Sequence, residues 1–277
     1  RKAFQKALSI EPANSEAIIH LARMELIEQG PKPAIELLKS KLELQPKNTH
    51  LIVELADTYM KSNEVDTALK HYQQAFDFDN RNTFTLIKLI DYFFVTKKYN
   101  KAEPILLAYL QKYPKDSKIK IKLGHLYGKL NKPLKAIKTF ESAVPNSTDR
   151  AKTYMLLAQA LLKVDNRVEA INSLNKATAW DEKRIEPLMM LFPIVLSQKD
   201  FSRAEQVIYS LNKLIPDQDV VNILNAKLYE AKGEYNKAEL SYKGALRKHP
   251  SRKSTLGLFN SLNHQLKYSE SDSLIKD

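Results

Sequence analysis

The sequence predicts an all-α solenoid of stacked antiparallel helix pairs, about 17 helices in all. Three observations carry this. Pro12, Pro46, Asn80, Pro114, Thr148, Glu182, Pro216 and Pro250 stand 34 residues apart. Ala34, Ala68, Ala102, Ala136, Ala170, Ala204 and Ala238 keep the same spacing. So do Leu21, Leu55, Leu89, Leu123, Leu157 and Leu191, a column that breaks only at Asn225. A fixed period of this length marks stacked supersecondary units, each too small to bury its own apolar face.

The elements follow in order. Residues 1–14 read as the second helix of a truncated repeat. Seven full repeats follow: 15–48, 49–82, 83–116, 117–150, 151–184, 185–218 and 219–252. Residues 253–277 form an incomplete last repeat, with Ser271 in the alanine role one position early, so a one-residue deletion lies just before it. Within 49–82, Ile52, Leu55, Ala56 and Tyr59 recur at helical spacing and give one amphipathic stripe. Asn63 and Glu64 punctuate it, and Ala68, Leu69, Tyr72, Ala75 and Phe76 give a second stripe. The alanine columns mark close helix contact. The proline column ends each second helix, because proline lacks an N–H and pushes the preceding residue out of the α region.

Three prolines depart from the pattern. Pro145 should end its helix early and leave 144–149 as a longer turn. Pro104 is expected in the first turns of its helix, where proline is tolerated. Pro193 is expected to kink its helix, with two outcomes open: a pocket near Met189, Met190 and Pro193, or a bent helix and nothing more.

Composition excludes several classes. The chain has 277 residues, 43% hydrophobic and 27% charged, with no cysteine. Disulfides, zinc thiolates and thiol nucleophiles are therefore ruled out. No stretch approaches the ~18 apolar residues of a membrane span. The histidines, His20, His50, His71, His125, His249 and His264, are scattered without ligand spacing. There is no glycine-rich phosphate loop. The expectation is no enzyme, no cofactor and no metal.

The segment 231–238, Ala-Lys-Gly-Glu-Tyr-Asn-Lys-Ala, followed by Tyr242, Ala245 and Pro250, resembles a tetratricopeptide repeat (TPR). Leu55, Ala56, Tyr59, Ala68, Tyr72 and Ala75 carry the same resemblance, which extends over essentially the whole chain. The family's tryptophan near each unit's start is replaced by Ile18, Ile52, Leu86, Lys120, Tyr154, Leu188 and Asn222. The resemblance implies a right-handed superhelix and a protein-binding scaffold, and the truncated first and last repeats are read as those of a fragment of a larger, bacterial protein. It also implies a concave groove lined by the first helix of each pair. Two family specialisations are absent. The places of a carboxylate-clamp lysine hold Ile19, Val53, Ile87, Ile121, Met155, Met189 and Ile223. The places of an asparagine ladder hold His20, Glu54, Lys88, Lys122, Leu156, Met190 and Leu224.

By that resemblance the groove runs from mixed to basic to apolar. Residues 117–150 hold eight basic residues against two acidic ones, a net of +6 that is half of the chain's +12. The expected partner-binding residues are Lys88, Lys118, Lys122, His125, Lys129, Lys152 and Lys163, with Met190 and Leu224 as apolar neighbours. Aligned lysines repel unless an anion or solvent screens them. The partner is thus an extended or helical protein segment, which can be acidic. An acidic polysaccharide or other polyanion is the alternative. Nucleic acid is disfavoured, because the excess is lysine and no aromatic ladder interleaves with it. A third reading is an architectural segment of a bacterial envelope protein, since drifting repeats without a ladder are similar to TPR proteins linked to exopolysaccharide export.

Overall fold

The computed structural model describes residues 1–216, 218–248 and 250–276; the side chains of residues 248, 269, 272, 275 and 276 lie outside the description, as does His249. Apart from one 3-10 turn, every regular element among the described residues is an α-helix. A lone α1 (Lys2–Ile10) precedes the pairs α2 (Ser15–Glu28) and α3 (Pro31–Leu44), α4 (Thr49–Lys61) and α5 (Val65–Phe78), and α6 (Thr83–Val95) and α7 (Tyr99–Lys112). Then come α8 (Ser117–Lys129) and α9 (Pro133–Ala143), and α10 (Arg150–Leu162) and α11 (Arg167–Trp180). The last pairs are α12 (Glu186–Ser197) and α13 (Phe201–Leu214), α14 (Asp219–Lys232) and α15 (Tyr235–Lys248), and α16 (Arg252–His264) and α17 (Tyr268–Lys276). Each falls within the repeat expected for it, give or take one residue. Contacts group the helices into two compact units, Arg1–Asn131 and Lys132–Asp277, whose boundary falls between α8 and α9.

The alanine column is the core of both units. Its seven members are at most 2% exposed, and the leucine column is buried with it. Helix ends obey local chemistry. The residues before the proline column, such as Gln45 (ψ 64) and Tyr113 (ψ 66), leave the helix for extended ψ. Asp79 and Asp181 do the same before Asn80 and Glu182, so proline is one of several adequate stops. Pro145 closes α9 after 11 residues, and a 3-10 turn Val144–Asn146 follows. Pro104 differs from expectation. Because α7 begins at Tyr99, Pro104 is its sixth residue, past the four N–H groups that lack helical partners.

Two further columns emerge from the structure. Asn14, Asn48, Asn82 and Asp116 cap α2, α4, α6 and α8, each side chain accepting a first-turn backbone N–H. Within the pairs, Asn63, Lys97, Asn131, Asp165, Lys199 and Gly233 take positive φ at 34-residue spacing, the tight turn that reverses the chain. In the last pair the cap Ser251, the buried Leu258 and the turn residue Leu266 all come one residue early. The deletion therefore lies at or before Ser251, upstream of the expected place, and Ser271 (1% exposed) fills the alanine role.

Asn48 also ties one repeat to the next. Its Oδ1 accepts from the His50 and Leu51 amides, while its amide donates to Ser15 Oγ (2.6 Å) and Gln45 Oε1 (2.7 Å). Gln45 in turn donates to the Ala13 carbonyl at 2.8 Å. Asn48→Ala should cost about 1 kcal/mol or slightly more, read as a lower urea midpoint. An unchanged midpoint would mean that water replaces these bonds without loss.

Candidate partner-binding faces

In the first unit the first helices of consecutive pairs touch, α2 with α4, α4 with α6 and α6 with α8; in the second, α14 touches α16. Consecutive second helices among the described residues make no comparable contact. The first helices α2, α4, α6 and α8 therefore form a closely spaced row in the first unit, and α14 and α16 do so in the second.

In the first unit this row carries a ladder of ion pairs, each joining residues 31 apart in adjacent repeats. Arg23 grips Glu54 with two bonds, Nε to Oε1 at 2.9 Å and NH2 to Oε2 at 2.7 Å. Lys88 Nζ lies 2.6 Å from Asp57, and Lys122 pairs with Asp91. The bond to Glu54 holds the Arg23 guanidinium above its ordinary pKa, against the opposing effect of burial. Tyr72 donates its hydroxyl to Asp57; burial first, then that bond, raise the phenol well out of its usual range. Rings fill the gaps, with His50 stacked on Phe84 at 5.1 Å and Lys88 Nζ 5.9 Å from the same ring. Lys88 and Lys122 are thus already paired with carboxylates. On α8, Lys118, His125 and Lys129 are exposed.

The remaining predicted residues fall in the second unit. Lys152 and Lys163 sit exposed at the two ends of α10, roughly 16 Å apart along its axis. Met190 is half-buried, whereas Leu224, at 6% exposure, belongs to the core and offers no contact surface. The first-helix face here has no ion-pair ladder among the described residues. The ladder positions hold Leu156, Met190 and Leu224, flanked by Met155, Met189 and Ile223, all half-buried except Leu224. Pro193 is exposed on the same face, and α12 runs on past it to Ser197 because Phe192, Ile194 and Val195 stay buried around it.

This apolar strip ends at a cavity of about 530 Å³ lined by Lys227, Glu230, Tyr235, Asn260 and His264 together with Leu196 and Ala231. Tyr235 and His264 stack at 4.6 Å. Glu230 accepts the Tyr242 hydroxyl at 2.9 Å, and its burial raises the carboxyl above the ordinary range. Sequence reasoning reached Lys227 but not Asn260, Tyr235 or His264, since the one-residue shift puts α16 out of phase. It also missed Trp180, half-exposed beside the Pro145 turn with the Arg150 guanidinium 4.4 Å from its ring. Among the described residues no three His, Asp or Glu side chains gather to hold a metal, and no helix is long and apolar enough to cross a membrane.

A tetratricopeptide-repeat family model matches residues 117–144 and 151–184. Across the chain the fold is that of a tetratricopeptide-repeat solenoid. The TPR fold is shared with the C-terminal part of a TPR repeat-containing protein from Cytophaga hutchinsonii, 18% identical, with a TM-score of 0.64 over 87% of this chain and 99% of that one. PilW, a type IV pilus biogenesis factor, is 18% identical with a TM-score of 0.58 over 76% of this chain and 98% of its own. A tetratricopeptide repeat protein from Parabacteroides merdae is 17% identical, with a TM-score of 0.53 over 89% and 98%. No curated protein matches the sequence. The TPR fold is one that suggests an interaction scaffold.

Proposed function

We propose that the chain is a non-catalytic scaffold that holds a segment of a partner protein against the first-helix face of its second unit. One observation carries this: the positions that hold charged pairs in the first unit hold Leu156 and Met190 in the second, flanked by Met155, Met189, Ile223 and Pro193. Thioether side chains adapt to an incoming apolar surface. A face preformed by stacked repeats costs little ordering on binding. The fitting partner is an extended or helical segment, apolar along one side, whose end lies near Lys227, Asn260 and His264.

An acidic polymer would instead draw on the lysines. Lys118 and Lys129 are exposed for that purpose, but Lys88 and Lys122 already face Asp57 and Asp91. Affinity capture from the source cell, at about 0.1 M and about 0.5 M salt, separates the two readings. The scaffold reading expects a protein retained at both salt concentrations. Met189→Glu with Met190→Glu should lose it and Lys118→Glu with Lys129→Glu should keep it. The reverse pattern, with salt stripping the ligand, would favour the polymer.

A further inference from the structure

The first unit has a second opening, on the side of its second helices. A cavity of about 680 Å³ lies between α5 and the start of α7, with Phe93 as its floor and Leu69, Gln73 and Phe78 along its wall. One repeat earlier, 34 residues back, the matching floor is Tyr59, and there the space is filled. The His71 ring stacks on Tyr59 at 5.5 Å, and Lys39 Nζ lies 5.7 Å from the same ring. The residues that would fill the later copy are Gln73 in place of Lys39 and Ile105 in place of His71. Gln73 is turned instead to Asp77, donating to its Oδ1 at 2.9 Å. The cleft is therefore open because two covering side chains are missing from an otherwise periodic structure.

Its rim carries two lysines against one carboxylate. Lys70 and Lys101 line the cleft, both exposed, and neither side-chain ammonium has a partner among the described residues. Asp77, the one carboxylate there, is held by Gln73. Phe78, which lines it, belongs to a 34-residue series of exposed apolar residues at helix ends: Ile10, Leu44 and Phe78 are 77%, 63% and 44% exposed at the ends of α1, α3 and α5. We propose that this cleft is a second docking site, taking a peptide segment of a partner protein that sets an aromatic or aliphatic side chain over Phe93 and acidic residues beside Lys70 and Lys101. An apolar anchor in a pocket with charges at its rim is the arrangement in which a few residues dominate binding.

The probe is a capped hexapeptide, Glu-Glu-Phe-Leu-Glu-Glu, titrated to millimolar concentration into the whole chain while backbone amide shifts are followed by NMR. Its lysine counterpart, Lys-Lys-Phe-Leu-Lys-Lys, is the control. The expected result is shifts confined to α5, α6 and the first turns of α7 with the acidic peptide alone. Gln73→Lys with Ile105→His, which copies the covered cleft of the preceding repeat, should abolish them. Lys70→Glu with Lys101→Glu, confined to exposed positions, should weaken binding by about tenfold or more. Three results would each overturn the proposal: no shifts with the acidic peptide, equal shifts with the lysine peptide, or shifts that persist in the charge-reversed variant.

Discussion

Gly257→Ala should destabilise the last helix pair by about 3 kcal/mol, although alanine is ordinarily the better helix former. A Cβ at Gly257 would stand 2.7 Å from the Tyr242 hydroxyl oxygen and closer still to two carbons of its ring. Tyr242 is 2% exposed, packs with Ala226, Leu258 and Leu262, and donates its hydroxyl to Glu230. It cannot yield without breaking that bond. Counted from the helix cap, Gly257 holds the place of Glu54, Lys88 and Lys122 in earlier pairs. At this one pair a tyrosine from α15 occupies the space that a long side chain takes elsewhere. The readout is amide hydrogen exchange in α16 and α17, expected to quicken by about a hundredfold. Gly244→Ala is the control, because its Cβ would meet only the Asn222 side chain at 3.7 Å, an ordinary contact. That variant should gain up to about 1 kcal/mol of helix propensity. Equal behaviour of the two would refute the steric account.

Acid should loosen the same region through Glu239. Burial alone would raise its carboxyl pKa. Lys243 Nζ at 2.6 Å, Lys267 Nζ at 2.8 Å and Gln265 Nε2 at 3.1 Å more than reverse this and hold it at about 2, down from 4.5. A carboxyl with a depressed folded-state pKa stabilises the fold above its unfolded value. That stability is complete above about pH 5 and is lost as the pH falls towards 2. Lys243 and Lys267 are each more than a third exposed, so solvent screening reduces the contribution to about 1–2 kcal/mol. Denaturation midpoints between pH 6 and pH 2.5 should therefore fall steeply for the native chain. In Glu239→Gln the slope should shrink by the share that Glu239 supplies, from a lower starting stability. An identical slope in both proteins would remove Glu239 from the account.

The period of 34 made the helix pairs, their order and their alanine seams legible, because close packing repeats with the chain. The sequence also placed the early end of α9 at Pro145. What escaped was pairing across repeats. Lys88 and Lys122 looked like free cations, yet their partners Asp57 and Asp91 stand 31 residues earlier, one period less the three residues that bring a helical neighbour alongside. The cap column Asn14, Asn48, Asn82 and Asp116 was equally visible in the sequence but was overshadowed by the prolines two residues before it. Leu224 shows a different limit. A column predicts that a residue is apolar, while its exposure depends on what the neighbouring helices lay over it. The open cleft at Phe93 could be recognised only once Lys39 and His71 were seen covering Tyr59 in the repeat before.

Of the five methionines, Met155, Met189 and Met190 lie on the second unit's first-helix face, while Met24 and Met60 lie in the first unit. Oxidative footprinting of the chain with and without its captured partner therefore tests the scaffold account directly. Binding as proposed protects Met155, Met189 and Met190 from sulfoxide formation and leaves Met24 and Met60 unchanged. A complex in which Met189 and Met190 oxidise as fast as in the free chain would contradict it.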